Sequence, residues 1–525
     1  MAGLALALAV PTACSRVEGI LDSRAEGYAK GFGGAVAADE PQAALVARDI
    51  LAVGGNAVDA AVAAYFTMSV TLPSAASLGA EGVCIVHDKT RATAEAIDFT
   101  HPTAGRFAGR AVPLAPRAMM ALHAKYGHLP WTQLMGPAES LARFGYPASR
   151  ALASALAANP RAVSADPMLA QIFADKSGNP VAEAARVQQF ALAATLGALR
   201  RQPSQFYIGP SGRRIAEDYT RAGVPLSAED VRTMVPRLRP VVSVETRNQV
   251  AHFPPTPAGL VSAQAWAMLF VRGVAADAGP ARQASALAEV SRRAWADAGR
   301  WFAVAGGAPD ATGDFVSVPR LDRLMAGFDP ARRTNLPDVG AGTIVEPADD
   351  GAASVIAADV FGQSVACGFS MGGVLGSGRI APETGIVVAA PPDPARRGAS
   401  TASLMILRNG TQQQMEFVGA VTGGAVAPIA VVDAAIKMLD PRYTAEGILA
   451  APRLYHPARP DRVMIEERPG ADGIAAELRA AGYQVTSVPS HGRANILLCP
   501  RGFEGAQSQC NLRTDRRGFG LAQQN

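Results

Sequence analysis

Residues 54–70 read GGNAVDAAVAAYFTMSV, and this stretch decides most of what the sequence says about the fold. Asn56 is a suitable N-cap, because its side-chain oxygen can accept a hydrogen bond from a backbone N–H of the first turn. The residues after it are apolar on nearly every side, which is typical of a buried helix. The two leading glycines end an earlier helix rich in Ala and Leu that starts at Pro41. We therefore predict two packed helices after a short strand over 36–38.

Outward from this helix pair, strands and helices occupy different parts of the chain. The segments VCIVHD and ATAEAIDF, joined by the turn DKTR, predict a β-hairpin. Helical periodicity dominates from about 117 to 201 and again from 259 to 304. Residues 305–348 are rich in Gly, Pro, Asp and Arg and predict a long exposed connection, after which strands dominate. Strand pairs on either side of a helix-rich middle favour an α+β fold with four layers, αββα, over a parallel doubly wound sheet.

Composition excludes several function classes. The chain has 525 residues and a formal net charge of +4, with no long block of Lys and Arg, so nucleic-acid binding is not predicted. The glycines near 31–34 precede the first strand instead of following it, which is not a dinucleotide fingerprint, and there is no P-loop. None of the five cysteines forms a CxxC pair or stands near a histidine at metal-ligand spacing. We predict neither a metal nor a cofactor.

The N-terminal segment MAGLALALAVPTACSR is a short apolar run that ends in small residues and Cys14. It is too short to cross a bilayer and predicts an export signal or a lipoprotein anchor over 1–25. It lacks a basic n-region, so an apolar leader without a targeting role is the alternative. We expect an exported protein, periplasmic or lipid-anchored in a bacterial envelope, with a membrane link only through Cys14.

Two further cysteines, Cys499 and Cys510, bracket the segment CPRGFEGAQSQC. Its glycines would let the chain fold back and bring the two sulfur atoms together, which would fit an oxidising compartment. Two unpaired thiols are the alternative, and the sequence does not decide between them.

Several segments together resemble the γ-glutamyltranspeptidase family. They are GGNAVDAAVAA at 54–64, AVPLAPRAMMALHAKYGHLPW at 111–131, QFYIGPSGRRIAE at 205–217, PPTPAGL at 254–260, VTGGA at 421–425 and APRLYHP at 451–457. The resemblance covers nearly the whole mature chain in order. It implies an N-terminal-nucleophile hydrolase fold, export, no cofactor, and self-cleavage into a large and a small subunit. It also implies that the new N-terminal threonine of the small subunit attacks γ-glutamyl amides with its own amine as base.

The position of that nucleophile departs from the family. When the turn Asp359 to Gly362 is matched to the turn after the family's Thr-Thr-His strand, the two threonines fall on Ala352 and Ala353. The histidine falls on Ser354. A methyl group can neither undergo the acyl shift that cuts the precursor nor attack an amide. Ser354 is the nearest hydroxyl and is a candidate nucleophile; Thr343, outside the strand, is a weaker one.

The positions that the resemblance assigns to substrate binding are altered as well. The family's carboxylate-gripping arginine falls on Thr100, with Arg106 as a substitute candidate or an ordinary surface charge. A family asparagine falls near Gly372. The family's Asn-Asn-x-Met-Asp-Asp stretch is replaced by AAPPDP, in which Asp393 is the one remaining acid.

Other family positions are retained. Gly423 and Gly424 match the pair whose backbone N–H groups hold the oxyanion, and Ser400 and Thr401 match the paired serines that help to bind substrate. A Gly-Gly turn between a strand and a helix is also what tight packing requires, and Ser400-Thr401 fits an ordinary turn or cap.

The sequence leads to two main hypotheses for one αββα domain with a large-subunit-like region, 26–350, and a small-subunit-like region, 351–525; a purely structural or scaffold protein of the envelope is a third possibility. In the first, the chain is an uncut, catalytically impaired family member that binds a small γ-glutamyl-like molecule or a protein partner. In the second, it is an active amidohydrolase or acyltransferase of altered substrate that uses Ser354 or another hydroxyl.

Overall fold

The computed structural model describes residues 33–103, 105–271, 280–305, 312–336, 351–392, 402–490, 492–503 and 509–524. The predicted helix pair is confirmed. Pro41 is the first residue of one helix, and Asn56 caps the other in a capping box with Asp59, whose side chain accepts from the Asn56 N–H. Every residue of the second helix is buried, as its all-round apolar sequence predicts.

The strands, numbered in chain order, have the following bounds. They are β1 Gly34–Ala38, β2 Glu81–Asp88, β3 Thr93–Asp98, β4 Tyr146–Pro147, β5 Arg186–Val187, β6 Arg237–Pro240, β7 Val242–Thr246, β8 Gln249–Phe253, β9 Ala352–Asp359, β10 Gln363–Ser370, β11 Arg379–Ile380, β12 Val387–Val388, β13 Ala402–Asn409, β14 Met415–Thr422, β15 Leu454–Tyr455, β16 Val463–Glu466, β17 Val485–Val488, β18 Arg493–Leu498, β19 Asn511–Thr514 and β20 Leu521–Gln524.

The helices are numbered in the same way. They are α1 Pro41–Ala52, α2 Ala57–Thr71, α3 Pro73–Ala76, α4 Ala115–Tyr126, α5 Trp131–Phe144, α6 Arg150–Ala158, α7 Pro160–Ser164, α8 Pro167–Phe173, α9 Phe190–Arg201, α10 Gly209–Arg221, α11 Ala228–Thr233, α12 Pro257–Val271, α13 Pro280–Ala305, α14 Val318–Leu324, α15 Ala427–Met438, α16 Ala445–Ala450 and α17 Ala471–Ala480, with short 3-10 turns at Pro203–Gln205, Thr312–Val316 and Gly424–Val426.

Two large antiparallel sheets form the centre of the molecule. The first sheet has seven strands in the order β20-β1-β9-β10-β2-β3-β6, and the second has six in the order β19-β18-β14-β13-β8-β7. Each sheet contains strands from both sides of the junction at 350/351. The two regions therefore build one fold.

Apolar side chains fill three layers of core, which gives the predicted αββα arrangement. One core lies between the two sheets and includes Ile356, Ala358, Leu404 and Val418. A second joins the outer face of the first sheet to helices that include α1, α2, α4 and α5. A third joins the outer face of the second sheet to α12, α13 and α15. Alternate residues of β9 therefore face opposite cores.

The sheet sandwich has two ends. At one, which we call the site end, Asn495 of the second sheet donates a hydrogen bond to Ser354 of the first. At the other, which we call the turn end, the rings of His87 and His252 from the two sheets stack with centroids 6.1 Å apart. These two contacts show that the two sheets are stacked with their corresponding ends together.

The segment predicted to be a long exposed connection is partly structured, and that prediction is wrong for its middle. Residues 312–316 form a 3-10 turn and 318–324 form α14. Phe315 and Leu321 are buried against the helices on the second sheet. Single apolar residues in a Gly- and Pro-rich segment show no periodicity, so the packing of Phe315 and Leu321 could not be predicted from the sequence.

Two disulfide bonds are present among the described residues. Cys499 is bonded to Cys510, which decides between the two alternatives that the sequence left open. Cys84 is bonded to Cys367, its direct partner on the neighbouring strand. The second pair was not predicted, because 283 residues separate the two cysteines in the sequence. Disulfides persist in oxidising compartments, so both bonds favour a location outside the cytoplasm.

Candidate functional site

The site end begins with Ala352, the first residue of β9. Ala352 lies directly opposite Ser370, which lies opposite Glu81, so the three residues form a row across the sheet. Their side chains point to the same face, because directly opposite residues of an antiparallel pair do so. Ala352 is 2% exposed and faces the second sheet, as Ile356 further along β9 does.

Gly351, which precedes β9, is held in a tight turn. Its φ is +61°, and a Cβ there would lie 2.3 Å from the carbonyl oxygen of Gly373. Its own carbonyl oxygen accepts a hydrogen bond of 3.1 Å from the N–H of Met371. The peptide bond between Gly351 and Ala352 is therefore fixed in one orientation with its carbonyl polarised.

Ser354 lies in a buried hydrogen-bond network with Asp39, the residue after β1, and with Asn495 of β18. Its N–H and its hydroxyl both donate to Oδ2 of Asp39, at 2.8 and 3.2 Å. The Nδ2 group of Asn495 donates to Ser354 Oγ and to Asp39 Oδ1, both at 2.9 Å. Ser354 and Asn495 are fully buried, so the three side chains lock β9 to β1 and to the second sheet.

Charge at this network is carried by Asp39 and Arg493. Burial raises the pKa of the Asp39 carboxyl above its ordinary value, and the charge of Arg493 offsets part of that rise. Arg493 also donates a 3.1 Å hydrogen bond to the carbonyl oxygen of Ala352. A cation and a carboxyl group thus flank the first residue of β9.

The end of β14 brings Thr422 and the glycine pair to the same place. Thr422 lies directly opposite Arg493. Gly423 has φ +122° and would place a Cβ 2.4 Å from Cα of Gly492, so glycine is required there for close packing. Gly424, with φ +68°, begins the 3-10 turn that leads into α15, and its N–H is one of the free donors at that helical start.

Three buried polar atoms near this end have no hydrogen-bond partner among the described residues. They are Thr422 Oγ1, Asn495 Oδ1 and Ser74 Oγ. The carbonyl oxygen of Ser74 lies 2.8 Å from the position of a Cβ on Gly351, which places this residue beside the junction. Buried polar atoms without partners are uncommon and mark places where water or a ligand binds.

Arginine side chains lie next to Thr100, which caps the end of β3. Its N–H and hydroxyl donate to Oδ1 of Asp98. Arg237 and Arg239 both reach Oδ2 of the same carboxylate, at 2.7 and 3.4 Å. Arg237 is 56% exposed, and its strand, β6, lies four positions along the first sheet from β9, which carries Ala352.

Known proteins with similar sequences identify the family of this chain. Residues 43–518 match the model of the gamma-glutamyltranspeptidase family. The chain belongs to this family. It is 24% identical to the glutathione hydrolase proenzyme of Escherichia coli, over 89% of each chain. It is 27% identical to glutathione hydrolase 3 of Arabidopsis thaliana over 43% of its own length and 38% of that protein's. The chain thus spans well under half of several of the curated relatives that it matches.

The fold of the γ-glutamyltranspeptidase-family chain is also found in a solved structure. Cephalosporin acylase from Bacillus halodurans superposes with a TM-score of 0.77 at 20% identity, over 95% of this chain and 97% of that one. This similarity supports the predicted N-terminal-nucleophile hydrolase fold.

The positions predicted from the family resemblance are distributed as follows. Ser354, Gly423 and Gly424 lie together at the site end. Arg106 lies at the surface, 65% exposed, 3.5 Å from Glu229. Gly372, with φ +70°, donates its N–H to Ser370 Oγ. Asp393, Ser400, Thr401 and Thr343 lie outside the described residues, as does Cys14.

Sequence reasoning missed Asp39, Arg493, Asn495 and Thr422. Asp39 directly follows the apolar strand GAVAA, and an acid in that position was the one local signal that could have identified it. The other three come from strands far along the chain, so only the sheet pairing shows their proximity. Within the described part of the chain, no group of three or more His, Cys, Asp or Glu side chains is placed to hold a metal ion.

Proposed function

We propose that this γ-glutamyltranspeptidase-family chain remains a single uncut polypeptide and does not carry out threonine-dependent γ-glutamyl transfer. The observation that carries the proposal is the pair of methyl side chains, Ala352 and Ala353, at the start of β9. Family resemblance assigns these two positions to threonine.

The chemistry supports this directly. Cutting before residue 352 needs a hydroxyl that attacks the preceding carbonyl, and transfer needs the same hydroxyl with a free amine beside it. A methyl group has neither a lone pair nor a proton to give. Loss of the nucleophile typically lowers kcat by several powers of ten, because the remaining groups act only together with it.

The mass of the purified protein tests the proposal. Because Cys84 and Cys367 lie on opposite sides of the 350/351 junction, two fragments would stay joined by their disulfide. The measurement therefore uses intact mass and a denaturing gel, each with and without reductant. We expect one polypeptide in every case. Two reduced fragments, the smaller starting within 343–354, would overturn the proposal.

We further propose that the site end keeps a binding role, for a small γ-glutamyl-like molecule. Arg493, which lies against Ala352, supplies a cation for a carboxylate, and the Thr422 and Ser74 hydroxyls supply hydrogen-bonding groups. A protein partner is the alternative occupant. Calorimetric titration with glutathione checks this, and we expect heat of binding that Thr422→Val, which keeps the side-chain shape, diminishes. Absence of heat with the unsubstituted chain would contradict a small γ-glutamyl ligand.

A second candidate function is an amidohydrolase that uses Ser354. The observation that favours it is the 3.2 Å hydrogen bond from the Ser354 hydroxyl to Asp39, a carboxylate that could serve as base. The full burial of Ser354 argues against access by substrate. Release of a chromogenic amine from a γ-glutamyl anilide, abolished by Ser354→Ala, would establish this function in place of the first.

We also propose an envelope location, either in the periplasm or lipid-anchored at Cys14. The two disulfides support an oxidising compartment. Within the described ranges, the helices are all too short or too polar to cross a membrane. Cell fractionation with a high-salt wash, of the native chain and of Cys14→Ser, separates the two forms: only an anchored protein would stay in the washed membrane fraction and leave it upon substitution, and a cytoplasmic pool would contradict both.

A further inference from the structure

The turn end of the sandwich gathers the connections of both large sheets. Strand pairing places there the turn after β2, the turn after β7, the turn after β9, the turn after β13 and the loop after β18. The stacked rings of His87 and His252 show that the two sets of turns lie side by side. The turn end is therefore one continuous surface, opposite the site end.

The charged side chains among the described residues of these turns are all basic. The turns carry Lys89, Arg91, Arg247 and Arg501, of which the three arginines are exposed. Asp359, the last residue of β9 before its turn, is 1% exposed. Glu504 lies outside the described residues. Arg91 is 3.7 Å from the buried Asp88. Glu245, near the end of β7, is an exposed acid beside these turns, whereas the described residues of the turns themselves carry four basic side chains.

A large apolar side chain projects from the middle of this basic surface. Phe361, in the turn after β9, is 69% exposed, the highest exposure among the large apolar side chains of the described residues. The stem of Lys89 packs over the neighbouring Gly362, where a Cβ would lie 2.9 Å from the lysine Cδ. An exposed aromatic ring thus lies next to a cation, which is the combination that favours a membrane–water interface.

The chain also enters the fold at this end. Gly34, the first residue of β1, pairs with Asp359, directly before the turn that carries Phe361. Residues 1–32, which include the apolar run and Cys14, therefore join the domain at the turn end. A leader that contacts or is anchored in a membrane would hold this surface towards the bilayer.

We propose that the turn end is a membrane-docking surface that binds anionic lipid headgroups through Lys89, Arg247 and Arg501 and inserts Phe361 among the lipids. An anionic bilayer fits better than an acidic protein, because the exposed ring lies in a turn among cations and the N-terminal apolar run joins the domain at the same end. Each cation near an anionic bilayer strengthens binding by about fivefold at moderate salt. The sequence had limited any membrane link to Cys14, since these turns meet only in the folded chain.

The test uses the full chain with Cys14→Ser, so that no lipid can be attached. Vesicles of phosphatidylcholine alone and of phosphatidylcholine with phosphatidylglycerol are sedimented with the protein at low and high salt. We expect binding to the anionic vesicles that weakens as salt rises. Equal binding to both vesicle types, or no binding to either, overturns the proposal.

Matched variants locate the surface. Arg247→Glu reverses an exposed charge in a turn at the turn end, and Arg516→Glu does the same at the site end, where Arg516 is 85% exposed. We expect Arg247→Glu to weaken anionic-vesicle binding at least fivefold and Arg516→Glu to leave it nearly unchanged. Phe361→Ser should weaken binding even at low salt. Equal losses for both arginine variants, with unchanged unfolding midpoints, would show a non-specific charge effect and overturn the assignment.

Discussion

Asn495 illustrates how much of the candidate site is held by single side chains. Its one amide group donates to both Asp39 and Ser354, so two strands of the first sheet depend on one residue of the second. A buried carboxyl group that loses a hydrogen-bond donor incurs a desolvation cost that no other contact offsets.

Asn495→Leu keeps the number and branching of the side-chain heavy atoms and removes both hydrogen bonds. We expect it to lower the free energy of unfolding by about 3 kcal/mol, because Asp39 and Ser354 lose their donor in a buried site. Urea unfolding measures the change. Asn248→Leu, in an exposed turn, is the control and should change stability by less than about 0.5 kcal/mol. Equal effects of the two substitutions would contradict the role of the network.

Residue 352 offers a second test at this scale. Ala352→Thr restores a hydroxyl next to the Gly351 carbonyl, which the Met371 N–H already polarises, and opposite the Ser370 side chain. We expect slow cutting before residue 352, visible as two fragments under reducing conditions. Ala352→Val, which has the shape of threonine without its hydroxyl, should stay uncut. If the Ala352→Thr variant stayed uncut, the chain would also lack other groups that self-cleavage needs besides the nucleophile.

At the scale of elements, the separation of the two sheets depends on small residues at the site end. A Cβ on Gly368, two residues before the end of β10, would lie 2.2 Å from the Cβ of Ala402 on the second sheet. Real carbon atoms do not approach so closely, so one of the sheets would have to shift. Glycine is therefore required here by packing, in a strand where it is otherwise unfavourable.

Gly368→Ala should destabilise the fold by about 1–3 kcal/mol, because extra volume in a packed core forces strain on both sheets. Gly473→Ala is the matched control: it lies within α17, where an added Cβ meets nothing within 4 Å. This second change should stabilise by up to about 1 kcal/mol through helix propensity. Thermal unfolding of the two variants compares them, and a Gly368 variant as stable as the parent would refute the close approach.

The sequence predicted elements well where the pattern is local. The Asn56 cap, the Pro41 start and the hairpin of β2 and β3 are each encoded within a few residues. The αββα layering also followed, because strands and helices occupy separate parts of the chain. Contacts such as Cys84 with Cys367, or Asp39 with Asn495, depend on register between distant strands, which no local pattern encodes. Half of the candidate site therefore could not be predicted from the sequence.

At the scale of the whole molecule, the two sheets meet at the turn end through a buried pair of histidines. Burial lowers the pKa of His87 to about 4, with the nearby Arg408 and Lys89 adding to the shift and Asp88 opposing it. Burial, His87 and Arg408 lower the pKa of His252 to about 3. Arg408 also donates to Nε2 of His252, so protonating that ring would break a hydrogen bond and place two cations together.

Stability should therefore fall in mild acid. Both imidazoles are neutral in the folded protein and take up a proton below pH 6.5 when unfolded, so their contribution is complete above pH 6.5 and is lost as pH falls towards 4. For His87 alone the loss is about 3 kcal/mol. Urea unfolding at pH 7 and pH 4.5 should show a smaller loss for His87→Leu than for the parent. The exposed His128→Leu should keep the parent's pH dependence, and identical curves for all three would contradict the assignment.

The pairing of β20 with β1 brings Gln524 opposite Ala35, so the first and last strands are neighbours. A short linker could join those two strands, and the chain could be opened instead at the start of β9 without removing a strand from either sheet. Such a circular permutant would begin at residue 352 and would carry a free amine there once the initiator Met had been removed. Combined with Ala352→Thr, it would supply the amine and the hydroxyl together, in a protein that never has to cut itself.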